Sequence, residues 1–461
     1  MASKFSLSAI SIWFIAIVCS AVVLFPSVFK RKPNILNNDV HYYYGYLPAI
    51  VIEQDPQLQF VYHPNVQYSR NYWFLNSPNG GHVFKMTMGM SFLYSPFFLM
   101  GHVTAKILDY PADGFSKPYL FFLALSGLFY LLSALFLLKK ILLLFFDDWV
   151  IAATLLIVGL GSNLFYYSVH EAAMPHVANF FLFTSIIYLT IKWHKNASWN
   201  TSILLGLAIG LVTLIRPSNA LIGLIPLLYS VHDKDSRNAK IQYVSTHLSR
   251  VLIAGLCILF IWIPQLIYWK ALTGDWFYYS YGESETFFFQ HPRVLETLFS
   301  FRKGLFIYTP LMALSCVGLF FIRKRLPDFK WAIWVFTILN IYIISSWWCW
   351  WYGGSFGLRA YIDMYALWAF PLAVMMEKIL AFKNTIRYSF LSLISLFILL
   401  NLFQSVQYWR GALHWDGMNY ALYKSQFLNM NGVSPSTVDD PNYELAKQGK
   451  ESYEWFRDSS K

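Results

Sequence analysis

Charged residues are scarce in this 461-residue chain: Asp, Glu, Lys and Arg make up 13% of it, while 57% is hydrophobic and 20% aromatic. A soluble globular domain is about 25% charged and has no means of hiding so much apolar surface, so a soluble fold is excluded. Acidic residues are the rarer sign, 24 against 35 basic, for a net charge of +11. That excess does not mark a nucleic-acid binder. The Lys and Arg residues gather in short loops between apolar runs, where they orient helices against anionic lipid. Cysteine is nearly absent. Cys19, Cys257, Cys316 and Cys349 lie within or at the ends of apolar runs, with neither metal-ligand spacing nor evident pairs, and read as small buried apolar side chains. Also missing are convincing internal repeats and mid-helix charges, the marks of a transporter.

What is present is a series of eleven apolar runs: 5–29, 118–138, 149–169, 177–191, 201–215, 219–231, 251–269, 304–322, 331–348, 360–376 and 388–406. They predict an all-α polytopic membrane protein with about 11 transmembrane helices. The first run has no small-residue cleavage site and reads as a retained helix, not a signal peptide. Every second loop is basic, with Lys139 and Lys140, Lys192 and Lys195, the 234–250 group, the 323–330 group, and Lys378, Lys383 and Arg387, which places these loops in the cytoplasm. Outside lie 30–117, 170–176, 270–303, 349–359 and the tail after 406. The division is a membrane domain over 1–406, with a first outer loop at 30–117, and a short non-cytoplasmic tail at 407–461. The residues best able to do chemistry sit on that outer side.

Two places strain this topology. Run 201–231 is broken by Arg216, Pro217, Ser218 and Asn219 and has basic loops on both flanks, so it must cross twice as two short helices meeting at Arg216. An Arg at a helix centre costs about 2.5 to 3.5 kcal/mol, which favours the outer end, facing an anion. Near the start, Lys30, Arg31 and Lys32 outweigh Lys4 and argue for an outside N-terminus. That arrangement requires 86–108 to span the bilayer, yet the segment carries Gly89, Pro96, Gly101, His102 and Lys106 and suits a helix in the interface. An inside N-terminus is therefore expected, with Asp39 outside.

The first outer loop opens Asn37, Asn38, Asp39, Val40, His41, then Tyr42, Tyr43 and Tyr44. An acid just past a membrane helix suits a base that meets its substrate at the interface; an Asp capping the helix that begins near Val40 accounts for it equally simply. The stretches "DVHYYYGYLPAI", "KMTMGMSFLYSPFFLMGH", "LIRPSN", "RKGLFIYTPL" and "WWCWWYGGSFGLRAY" resemble, in this order over roughly 1–406, the blocks of GT-C membrane glycosyltransferases. Those are the relatives of protein O-mannosyltransferases and the lipid A aminoarabinose transferase. The resemblance implies a GT-C-like helical bundle with interfacial helices in the first outer loop. It also implies an inverting transfer of a sugar from a polyprenyl-phosphate donor on the non-cytoplasmic face, with Asp39 as the base that activates the acceptor.

Such a reaction needs cations to stabilise the leaving phosphate. The outer-face candidates are Lys85, Arg216, Arg302, Lys303 and Arg359, against the plainer reading of side chains reaching for lipid headgroups. Glu171 and His176 occupy the second outer loop, where Glu171 is a second catalytic candidate and His176 a substrate-lining one. Tyr42, Trp350, Trp351 and Tyr352 complete the lining set: their rings either stack on sugar or belong to an interfacial aromatic belt, as do Tyr278, Tyr279, Tyr281 and Phe287, Phe288 and Phe289. No Asp-x-Asp stands in the first outer loop, and His41, His63 and His82 lack compact spacing, so no metal and no cofactor are expected. This agrees with a monophosphate donor. Asp109 and Asp113, or Glu283 and Glu285, remain able to reach a site by folding. The expected partners are membrane lipids, the lipid-linked donor, and a glycan, lipid or protein acceptor at a bacterial-type inner membrane. The rivals are a polysaccharide polymerase or ligase, which favours a large late outer loop with paired Arg, and a transporter.

Overall fold

The computed structural model describes residues 6–24, 35–59, 72–432, 438 and 440–455. Lys4, Lys30, Arg31, Lys32 and His63 lie outside the described residues. α1 (Leu7–Leu24) precedes the first outer segment, which holds α2 (Asp39–Tyr44), α3 (Tyr46–Val51), an antiparallel hairpin pairing Leu75 with Val83 and Asn76 with His82, and α4 (Gly89–Ile107). Then come α5 (Lys117–Leu142), α6 (Asp148–Leu160), α7 (Leu164–Val169), α8 (Pro175–Lys195) and α9 (Trp199–Ile215). A 3-10 turn, Pro217–Gly223, leads to α10 (Leu224–Leu228), α11 (Lys234–Thr246) and α12 (Leu248–Thr273). The later elements are α13 (Val294–Phe299), α14 (Leu305–Tyr308), α15 (Ala313–Arg325), α16 (Lys330–Ser345), the 3-10 turn Arg359–Met364, α17 (Tyr365–Leu380), α18 (Asn384–Arg410), α19 (Tyr420–Gln426) and α20 (Tyr443–Lys447).

Helices prevail because an apolar run without water must satisfy its backbone groups internally. α1, α5, α12, α16 with the 3-10 turn before it, and α18 are long and apolar enough to cross a membrane. The chain is a multi-pass integral membrane protein. At its centre α17 is buried from Tyr365 through Val374, packed among α6, α8 and α15, as a helix apolar on every face must be.

Packing places the N-terminal end of α1 beside the end of α5 and the start of α6. Ser8 donates to Asp148 at the start of α6, Lys139 at the end of α5 donates to Ser6, and Ile15 meets Gly159. α1 therefore runs parallel to α6, with its N-terminus among the basic ends. α4 does not travel the length of α5: Gly101 abuts Tyr119 near the start of α5, and Leu93 accepts from Tyr130 at its middle. It runs antiparallel to the first part of α5, from Tyr119 through Tyr130.

Several runs are not single helices. Run 149–169 breaks at residues 161–163, where Asn163 turns its amide to Phe356 O (3.2 Å) and accepts from Tyr365 (2.8 Å). Run 304–322 breaks before Pro310, whose ring nitrogen has no hydrogen to give, and run 360–376 opens as a 3-10 turn. The loop before residue 250 is largely helical: Asp233 and Ser236 form a capping box that starts α11, a helix with no buried residue.

Candidate active site

A cavity of about 530 Å³ opens where the outer segments meet the helix ends. Its wall includes Asp39 at the start of α2, Lys85 and Thr87 before α4, and Arg216 with Asn219 at the α9 junction. Tyr281 and Glu285 come from the third outer segment, Asn340 from α16, and Tyr352, Arg359 and Asp363 from the block before α17. Residues separated by more than 300 positions thus share one space.

Asp39 is not a cap. Asn38 occupies the cap position and makes no side-chain cap bond, while Asp39 Oδ2 accepts from Arg359 Nη2 at 3.2 Å. Among the described residues, Oδ1 has no hydrogen-bond partner. Lys85 Nζ meets both carboxylate oxygens of Glu285, at 2.7 and 2.9 Å. Arg216 ends α9, its backbone extended at φ −147°, because Pro217 disfavours helical backbone before it. Among the described residues it has no ion-pair partner within reach. Tyr43, Asp363 and Tyr281 supply its surrounding field.

Asp363 is the cavity acid that the sequence reading missed. Asn179 Nδ2 donates to it at 2.8 Å and His176 Nδ1 stands 3.2 Å away, so residues at the start of α8 hold it in place from behind. The signal was available: a carboxylate four residues past Arg359 and inside the apolar run 360–376, where a charge is costly and by default functional. Glu285 does reach the site, whereas Asp113 accepts from the backbone N–H groups of Phe115 and Ser116 in the turn that precedes α5.

Of the aromatic candidates, Tyr278, Tyr279, Phe287 and Phe289 also line the cavity, while the remaining candidates lie away from its wall. Arg302 is buried at 3% exposure, ion-paired with Glu451 of the tail and stacked among Trp350, Trp351 and Tyr453. Lys303, at 1%, gives its protons to the carbonyls of Ser355 and Trp415. Trp350 and Trp351 donate to Glu451 and Asp416, each at 2.9 Å. These four side chains fasten the tail to the block that carries Arg359, with protein groups where a phosphate or sugar was expected. His176 sits behind Asp363, and Tyr42 packs edge-on to Trp73. Glu171 accepts from Tyr166 at 3.3 Å. Burial lifts its carboxyl to about 7, against the opposing pull of Arg359 and the Tyr166 bond.

No family profile matches the sequence, and neither does any curated protein. Solved structures do match. The archaeal oligosaccharyltransferase AglB from Archaeoglobus fulgidus, in complex with an inhibitory peptide and a dolichol-phosphate, aligns over 93% of this chain with a TM-score of 0.52 and 12% identity. The apo form of an Archaeoglobus fulgidus oligosaccharyltransferase aligns over 93% with a TM-score of 0.51 and 11% identity. The chain has a GT-C-like fold. It spans 56% and 57% of those two chains. In this GT-C-like chain the cavity takes its acids and cations from the first outer segment, the α9 junction and the block before α17.

Proposed function

We propose that this protein is an inverting glycosyltransferase that moves a sugar from a polyprenyl-phosphate carrier to a glycan, lipid or protein acceptor on the non-cytoplasmic face of a bacterial-type inner membrane. The observation that carries this reading is the Asp39–Arg359 pair sharing one cavity with Arg216, which has no ion-pair partner among the described residues. Arg359 holds one oxygen of Asp39 and leaves the other to take a proton. The acceptor hydroxyl gives that proton to Asp39 as its oxygen bonds the anomeric carbon. The anomeric carbon–oxygen bond breaks and its electrons leave on the carrier phosphate, beside Arg216. General-base assistance of this kind contributes about 10² to 10⁴ in rate. A phosphate is already a good leaving group, so cationic stabilisation serves where another reaction would need an acid. The GT-C-like fold supports a lipid-linked donor, and the cavity's place at the ends of membrane helices suits a carrier whose chain stays in lipid.

The test is release of polyprenyl phosphate by purified protein given a polyprenyl-phosphate sugar, which a transporter does not produce. Asp39→Asn should lower release by about 10² or more while the protein folds and binds carrier. Arg216→Ala should weaken carrier binding. Full activity in Asp39→Asn removes the base role, and unchanged affinity in Arg216→Ala removes the phosphate contact.

A further inference from the structure

Among the described residues three cations line the cavity, and they differ in what already occupies them. Arg359 holds Asp39, Arg216 has no ion-pair partner among the described residues, and Lys85 is taken by both oxygens of Glu285. Lys85 and Arg216 stand on one wall. Thr87, two residues past Lys85, donates to the carbonyls of Leu214 and Ile215, next to Arg216. The ring of Tyr281 lies 5.1 Å from Lys85 Nζ, with its hydroxyl 3.0 Å from Met86 Sδ and in the field of both Arg216 and Glu285. An anion seated at Arg216 therefore has Lys85 as its neighbour, already neutralised. Glu285 is held in register by Tyr279, whose hydroxyl donates to the Glu285 carbonyl, and by Ser280, which donates to the Lys85 carbonyl.

Both side chains line the cavity wall and are about one-fifth exposed, so the two-oxygen contact stands where a bound anion would meet it. We propose that Glu285 withholds Lys85 from the carrier and so limits the site to donors joined through a single phosphate. This rests on the lipid-phosphate reading above and adds the basis of selection. A single phosphate is satisfied at Arg216. A diphosphate brings a further negative group to the Lys85 side, where it meets a carboxylate already in possession of the cation. The preference then comes from a repulsive element, not from an added attraction.

The experiment measures dissociation constants of undecaprenyl phosphate and undecaprenyl diphosphate for the purified full chain. The wild-type protein should favour the monophosphate by about tenfold or more, as a like-charge encounter requires. Glu285→Gln frees Lys85 and should bring the two constants within about threefold of one another. The charge swap Lys85→Glu with Glu285→Lys keeps the ion pair and should restore the preference. Lys85→Gln, which leaves the carboxylate alone, should keep or widen it and serves if Glu285→Gln does not fold. If the wild-type protein binds the monophosphate yet Glu285→Gln still discriminates tenfold, or if Lys85→Gln loses discrimination, Glu285 has no such role and the lipid-phosphate reading stands. If the wild-type protein binds neither carrier, both proposals fall.

Discussion

A single guanidinium illustrates how residue type and residue role part company. Arg302 precedes the run 304–322 and Arg359 follows the Trp-Gly block, and the neighbouring glycines are the local feature that favours Arg359 as a phosphate contact. Arg359 faces the cavity, while Arg302 is sealed under Trp350 and Trp351 with Glu451 as its counter-ion. Removing one partner of a buried pair strands the other charge, at a cost of about 3–5 kcal/mol. Arg302→Met should therefore destabilise the protein strongly, and adding Glu451→Gln, which removes the stranded charge but keeps an acceptor for Trp350, should recover most of the loss. Thermal melting in detergent reads both, and a double variant no better than the single one contradicts the argument. Glu171 gives a pH signature. Its carboxyl is raised in the fold to about 7, so the native state favours the protonated form, and stability falls as pH rises from the ordinary carboxylate range through 7. Glu171→Gln lacks that loss, so its melting temperature relative to wild type should climb between pH 5 and pH 8. A gap that does not change with pH excludes the ionisation.

At the scale of elements, the apolar runs announced where helices would be but not where they would break. The interruptions at residues 161–163, before Pro310 and at 359–364 are each stabilised by contacts from elsewhere, as when Tyr365 donates to Asn163. The Pro and the Gly161-Ser162-Asn163 stretch are local signals, and the 3-10 opening at 359–364 has none. Small residues set how closely helices approach. A Cβ added at Gly206 of α9 would stand 2.3 Å from the carbonyl oxygen of Ala254 in α12. Without a hydrophobic drive between helices in lipid, such backbone proximity is a main source of association. Gly206→Leu should force the two helices apart and cost about 1–3 kcal/mol, an overpacking penalty. Gly255→Ala, on α12 with nothing within 4 Å of the added carbon, is the control and should melt no lower than wild type. Equal melting of both variants means that the α9–α12 contact is not tight. The site depends on this contact, because α9 delivers Arg216.

For the whole molecule, the charge pattern predicts two faces, and the packing of α1 beside α6 agrees with it. Asp275, exposed after α12, belongs to the face with the cavity, and Asn238 on α11 to the opposite, basic one. Single cysteines at these positions should react differently with an impermeant thiol reagent: Asp275→Cys in intact cells, Asn238→Cys only after permeabilisation. The reverse pattern turns the cavity toward the cytoplasm and ends the proposal of transfer outside.

Membrane character, helical class and most segment positions were legible in the chain because hydropathy and loop charge are local sums, insensitive to which helix meets which. The same locality limited the site. Asp39 and Arg359 are 320 residues apart, and no spacing rule joins them; the bundle brings them within 3.2 Å because α2 and the turn before α17 converge on one cavity. Whether a given cation is already neutralised depends on a partner that only folding supplies: Arg302 has Glu451, while Arg216 has no ion-pair partner among the described residues. Sequence by itself determined that the chain lives in a membrane and where its chemistry-bearing residues cluster; tertiary structure alone decided which of them face one another.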